Sequence, residues 1–316
     1  MHPDTRPLIL ALAASFMFLG ACRHNDAQVA APVDGPLAVR TAATAAGSPT
    51  ARPDGWDAYW YSGLAELNTY RTTQRRYGED REGTAVLIFV TEGFLPETQV
   101  KDDGVATKEE AVSVLKLNRV ERFTTGVYDY SIMQSVFTPV SRDRHPHTLK
   151  TTLSVQDWCG QVWAQYNLRK NAYQVEYRSY FQREGDQRVS HAAALLEDEL
   201  PNLVRLDPAW VPDGEVLLIP SEKYGRLHHK STEPRRATLS LSQSADALTL
   251  DVEYRDLERS LTYEFQPAFP HRLERWTVMQ DGARDFEAEL TATRREPYWQ
   301  QNANRFAPMR DSLGLQ

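Results

Sequence analysis

From residue 56 onward the dominant pattern is strict alternation. Leu248, Leu250, Val252 and Tyr254 are interleaved with Thr249, Asp251 and Glu253, and Phe286, Ala288, Leu290 and Ala292 with Glu287, Glu289, Thr291 and Thr293. Tyr173, Val175, Tyr177, Ser179 and Phe181 make a third such row. A period of two sends successive side chains to opposite faces, so each segment predicts a strand with one face on a core and the other toward water. Turn-forming strings at 243–246, 280–283 and 184–186 separate the rows. The run 84–90, TAVLIFV, is apolar almost throughout and predicts a strand covered on both faces. The pattern yields about twelve strands in hairpin succession. That succession predicts a mainly β fold: one large curled antiparallel sheet or half-barrel.

One helix is expected among the strands. Residues 190–206, SHAAALLEDELPNLVRL, open on a Ser cap and an Ala-rich turn. Pro201 removes a backbone donor within the second half. Glu197, Asp198 and Glu199 then read as the solvated face of that helix. The stretch 207–236 holds Pro208, Pro212, Pro220 and Pro234, and reads as a long connection with one short strand at 215–219. It is the point at which the sheet can divide in two.

The N-terminus has a different character. Residues 8–21, LILALAASFMFLGA, are apolar and follow a short n-region carrying Arg6. Crossing a bilayer takes about 20 apolar residues, so this run has the length of a signal-peptide core and not of a membrane span. It ends in Leu19-Gly20-Ala21-Cys22, which resembles a bacterial lipobox: small residues admit the peptidase and the Cys22 thiol receives diacylglycerol. The expected organisation is a signal peptide over 1–21, a lipidated flexible tether over 22–55 rich in Ala, Pro, Gly and Thr, and a single β-rich body over 56–316. Two or three acyl chains on Cys22 bind a membrane essentially permanently, since each buried methylene contributes about 0.8 kcal/mol. Arg23 stands where some inner-membrane lipoproteins carry a retaining aspartate, which favours the outer membrane.

Composition narrows the chemistry. The net charge of −7 and the lack of a sustained basic stripe argue against nucleic acid. The chain has two cysteines; with Cys22 acylated, Cys159 has no disulfide partner and reads as a buried small hydrophobe. In Asp157-Trp158-Cys159-Gly160-Gln161, the site of interest, a nucleophilic reading needs a base beside Cys159. The structural reading places Cys159 in a Gly160 bend between strands 148–155 and 162–168, with Trp158 and Trp163 as core aromatics. His145 with His147, and His228 with His229, are the metal candidates, but neither pair has a carboxylate at a ligand spacing, so no metal and no cofactor is expected. Serine-hydrolase elbow, phosphate loop, dinucleotide fingerprint and calcium loop are all missing from the sequence.

The strings TAVLIFVTEGFLP, VLKLNRVERFTTGVYDYSIMQSVFTPV, HPHTLKTTLSVQDWCGQ and SYFQREGD, all within 56–220, resemble a family of uncharacterised bacterial envelope lipoproteins, some of which carry the name septum formation inhibitor Maf. The resemblance covers about half the chain and implies an envelope location without an activity. Maf proteins proper are α/β nucleotide pyrophosphatases with an S-x-S-P-R-R-like motif at a strand-to-helix turn. The nearest string here, STEPRR at 231–236, precedes an alternating strand.

Three function classes remain. The first is a non-enzymatic binding or structural module with an envelope protein partner. The second is a carrier of a lipid or other hydrophobic ligand, similar in architecture to the half-barrels of the Lol system. The third is an enzyme with dispersed catalytic residues. A lined cavity favours carriage and a filled core favours a protein partner. An enzyme needs titratable groups converging in a cleft.

Overall fold

A computed structural model describes residues 52–107 and 109–315. The expected signal segment, Cys22 and nearly all of the tether lie outside the described residues. The body is mainly β, as the alternation predicts, and its sixteen described strands form one open, curled, mixed sheet.

The first half of the chain supplies β1 (Ala65–Arg76), β2 (Glu79–Leu95), β3 (Val100–Lys101), β4 (Val112–Thr125), β5 (Tyr128–Pro139), β6 (Lys150–Asp157), β7 (Gly160–Arg169), β8 (Ala172–Ser179) and β9 (Gln187–Ala192). The second half supplies β10 (Leu195–Leu196), β11 (Gly214–Ile219), β12 (Arg235–Gln243), β13 (Leu248–Tyr254), β14 (Arg259–Phe265), β15 (Leu273–Gln280) and β16 (Ala283–Glu296). Strand order runs β10-β11-β12-β13-β14-β15-β16-β1-β2-β4-β5-β6-β7-β8-β9, with β3 as a spur on β2. The first and last long strands therefore pair in the middle, Ala65 opposite Glu296. The two free edges belong to β9 and β10, which only Ala193 and Ala194 join. So short a link brings the two edges together at that point. All pairings are antiparallel except the parallel β10–β11 contact.

Among the described residues four short α-helices accompany the strands: α1 (Trp56–Trp60), α2 (Leu200–Leu206), α3 (Glu222–His228) and α4 (Met309–Ser312). The expectation of one helix over 190–206 is corrected. Residues 190–192 extend β9, where pairing with β8 outweighs the helical preference of alanine. The helix begins at Leu200 with Pro201 in its first turn, where the missing N–H has no intrahelical acceptor to lose. Proline marks the start of this helix and not its interruption. The connection 207–236 does not divide the sheet, because β11 and β12 pair within it. Segment 84–90 is also corrected: Ala85, Leu87 and Phe89 are buried, while Val86, Ile88 and Val90 are only half-covered on the other face.

One apolar cluster joins Leu200, Leu203 and Val204 of α2 to Leu115 and Leu117 of β4, Val136 of β5, and Leu218, Leu250, Tyr263 and Trp276 of the second wing. The sheet thus curls around α2, and the two wings share a filled core. Arg205 of α2, fully buried, donates from Nη2 to Glu66 Oε2 at 2.7 Å and from Nε to the Pro270 carbonyl at 2.6 Å. Because each hairpin reverses direction, the connections β1–β2, β4–β5, β6–β7, β8–β9, β11–β12, β13–β14 and β15–β16 all lie on one rim, here the upper rim.

A candidate ligand cavity at the sheet seam

Between β7–β9 and α3 the interior is not filled. A cavity of about 880 Å³ lies there, within the range of small-molecule sites. Strand register explains its first wall. Ala164 pairs with Tyr177 and Tyr166 with Val175, and Val175 in turn pairs with Val189. These residues occupy one face of the curled sheet, and all of them line the cavity. In the other wing the equivalent face is covered by α2; here α3 covers only part of it, its Leu227 packing with Ala164 and with Leu153 and Val155 of β6.

The second wall is α3. Ser221 caps the helix by accepting from the Lys223 N–H at 3.2 Å. Glu222, Gly225 and Arg226, spaced i, i+3 and i+4, line the cavity. Lys223 turns away and pairs with Glu121 of β4. Gly225 permits close approach of the following loop: a Cβ there would lie 2.5 Å from Thr232 Cγ2. His229, at φ 54°, ends the helix in the left-handed conformation, and residues 230–233 complete the wall.

The walls are tied at the upper rim by Glu184 of the β8–β9 connection. Its Oε1 faces His229 Nδ1 at 2.6 Å and accepts from Arg226 Nη1 at 3.3 Å; its Oε2 accepts from Ser179 Oγ at 2.6 Å and Tyr177 Oη at 3.4 Å. Burial works against this charge, but the Ser179 and His229 hydrogen bonds and the Arg226 guanidinium outweigh it and hold the carboxyl below its usual range. The Arg226 guanidinium also stacks 4.7 Å over Phe181.

Behind α3 lies a buried charged layer. Glu197, Asp198 and Glu199, expected on a solvated helix face, are 2%, 8% and 0% exposed. Glu197 accepts from Arg259 at 2.7 Å, Asp198 from the Glu222 N–H at 3.1 Å, and Glu199 from the Thr148 hydroxyl and the Leu196 N–H. Arg119 and Lys223 both meet Glu121. Burial, then the neighbouring Glu197, raises the Asp198 carboxyl above its ordinary range. Burial also raises Glu222 well above its ordinary value, and Asp198 adds to the shift. Glu222 Oε1 accepts from the Thr151 hydroxyl, while Oε2 is buried without a partner. The sequence did contain a hint of this layer: three acids stand between Leu195-Leu196 and the apolar positions 200, 203 and 204. Nothing in the local pattern singles out Glu184 or Glu222.

The residues selected from sequence lie elsewhere. Asp157, Trp158, Cys159 and Gln161 form the β6–β7 tip on the upper rim, with Asp157 Oδ1 accepting from the Cys159 and Gly160 N–H groups at 2.7 and 3.2 Å. Cys159 is exposed and Trp158 is 72% exposed, so both are corrected from core to surface; Trp163 is half-buried. The tip is too short to fold back over the sheet, which leaves these side chains in solvent. His145 and His147 lie in the β5–β6 connection, on the rim opposite to His228 and His229. His228 faces Asp285 at 3.1 Å and His229 faces Glu184, so even these neighbours diverge. Among the described residues no three His, Cys, Asp or Glu side chains are grouped to hold a metal ion. The STEPRR string contributes Ser231, Thr232 and Glu233 to the cavity wall, and Arg235 begins β12.

The chain matches no protein-family model and no curated protein.

Proposed function

We propose that this chain is a lipid-anchored cell-envelope protein, held to the outer membrane by acyl chains on Cys22, that binds a small amphipathic ligand without catalysing its conversion. The observation that carries the binding reading is the seam cavity. A sheet that packs tightly around α2 in one part leaves about 880 Å³ open in another, against a wall of Ala164, Val175 and Val189. A cleft that combines an apolar floor with polar side chains around it suits a ligand with both characters. The half-barrel architecture is compatible with the carriage of a hydrophobic ligand, by analogy of fold alone. The carboxylate at the mouth supports binding over catalysis, because Glu184 has a polar partner on both oxygens and ties the β8–β9 connection to α3.

The test uses the full-length chain carrying Cys22→Ser, so that its own acyl chains stay out of the assay. N-phenyl-1-naphthylamine should bind saturably at one site with enhanced fluorescence. Val175→Trp, which fills the cavity, should abolish this, and Val189→Trp on the edge strand should weaken it with an unchanged circular dichroism spectrum. Probe binding that is non-saturable, or indifferent to both substitutions, would overturn the reading.

A further inference from the structure

The upper rim carries a row of exposed apolar side chains that the cavity does not use. Among the described residues three aromatic side chains are more than half exposed: Tyr77 at 61%, Trp158 at 72% and Tyr180 at 74%. They stand at the β1–β2, β6–β7 and β8–β9 tips, and Val127, 80% exposed, stands at the β4–β5 tip between the first two. These hairpins follow one another in the sheet, and their tips adjoin. The Tyr77 and Tyr130 hydroxyls meet at 2.7 Å, and Cys159 is within electrostatic reach of Tyr128. The Tyr180 ring lies so close to Gly160 that a Cβ there would come within 2.8 Å of it. Among the described residues the other upper connections, 220–234, 255–258 and 281–282, present no exposed bulky apolar side chain. The row is therefore one continuous half of the rim.

Single exposed apolar residues need no explanation, but a contiguous row marks an interaction surface. Three features specify its partner. Protein hot spots gather in a compact patch, whereas this row runs in single file, one residue per tip, so that all four side chains can enter one plane together. Trp and Tyr, each a ring with one polar atom, are the residues that settle at the headgroup level of a bilayer. The tip segments 75–80, 124–129, 156–161 and 179–187 hold six carboxylates and three arginines, so anionic headgroups disfavour this rim and zwitterionic ones do not. Reach is sufficient as well. Arg52 lies toward the opposite rim, where α1 leads into β1, and Cys22 stands 30 positions before it. Thirty residues extend to about 100 Å, while β2, with 17 residues, is about 55 Å long. We infer that the upper rim docks on a zwitterionic bilayer surface through Tyr77, Val127, Trp158 and Tyr180. Docking faces the mouth of the seam cavity, which Glu184 marks on the same rim, toward the lipid. The inference rests on the envelope-lipoprotein reading above for its access to a membrane, and names a second contact that acylation does not supply.

The test uses the mature chain from residue 22 with Cys22→Ser, so that neither acyl chains nor the apolar run 8–21 bind lipid. Cys159 is then its single thiol and stands in the row, ready to carry an environment-sensitive fluorophore. With phosphatidylcholine vesicles the label should shift to the blue and be quenched by lipids brominated close to the headgroup. Binding should change by less than about twofold when salt is raised tenfold, and should weaken when phosphatidylglycerol replaces part of the phosphatidylcholine. In vesicle flotation of the unlabelled chain, Trp158→Ser with Tyr180→Ser should lower partitioning about tenfold or more with an unchanged circular dichroism spectrum. Val105→Ser, equally exposed but on the lower rim, should leave it unchanged. No vesicle binding, binding indifferent to the tip substitutions, or binding that needs phosphatidylglycerol and is lost in salt would overturn the inference. A label shift without lipid that grows with protein concentration would also overturn it and make the row an interface between copies. The anchoring reading fails on a different observation, the membrane fractionation of the Cys22→Ser chain in cells, so the two are separable.

Discussion

Helix α2 carries one buried ion pair to the sheet, and breaking it has a calculable consequence. The Arg205 and Glu66 side chains are 0% and 1% exposed and meet at 2.7 Å. The guanidinium also lies 4.5 Å over Phe89 and 5.1 Å over Trp60, and Nη1 already lacks a partner. Glu66 in addition accepts from Asn68 Nδ2 and the Tyr59 hydroxyl. In Glu66→Leu a buried cation would lose its counter-ion with no water to replace it, which costs about 3–5 kcal/mol. Removing both charges, in Glu66→Leu with Arg205→Met, replaces the pair with apolar volume among aromatic rings. The double variant should then lie within about 2 kcal/mol of the parent. Guanidinium unfolding of parent, single and double variants, followed by far-ultraviolet circular dichroism, gives the coupling directly. If the double variant loses as much as the two singles combined, the two charges are not coupled and the reasoning fails. The pH dependence has a definite sign as well. Burial opposes the Glu66 charge, but Arg205 and the hydrogen bonds from Arg205, Tyr59 and Asn68 outweigh it and depress the carboxyl. The stability it contributes is therefore present above its ordinary value of 4.5 and lost as pH falls through the depressed one.

Glu222 has the opposite linkage: its folded state keeps a proton above the ordinary value of 4.5, so stability falls as pH rises between that value and the raised one. Glu222→Gln should flatten this decline in urea midpoints measured from pH 5 to pH 8, and an unchanged slope would contradict the assignment. Gly83→Ala places a Cβ 2.4 Å from the Arg122 carbonyl on β4 and should destabilise by about 1–3 kcal/mol through overpacking; a thermal midpoint equal to the parent's would refute this. Exposed Cys159 should alkylate in the native protein as fast as in urea, and Cys159→Ala should alter stability by no more than about 0.5 kcal/mol. Slow native labelling would count against the exposed tip. Cys22→Ser should move the chain from membrane to soluble fractions; retention with membranes would mean that something other than acylation anchors it.

Much of the architecture was legible along the chain. The alternation at 248–254 states which side chains enter the core before any partner strand is known, because a pleated strand has only two faces. Hairpin succession with short turns was enough to imply an antiparallel sheet. Tertiary structure decided what depends on distant neighbours. Residues 190–192 joined a strand because β8 offers them a ladder, and Pro201 became a first-turn residue because the helix starts later than local preference suggests. Glu197, Asp198 and Glu199 are inside because Arg259, Thr148 and α3 meet them there. Cys159 and Trp158 are outside because their hairpin ends at the rim. The cavity itself arises where two edges, distant in strand order and two residues apart in sequence, come together without pairing. No local period encodes that gap. It follows from the number of strands, the curl they accumulate, and a helix that fills one side of the interior and leaves the other open.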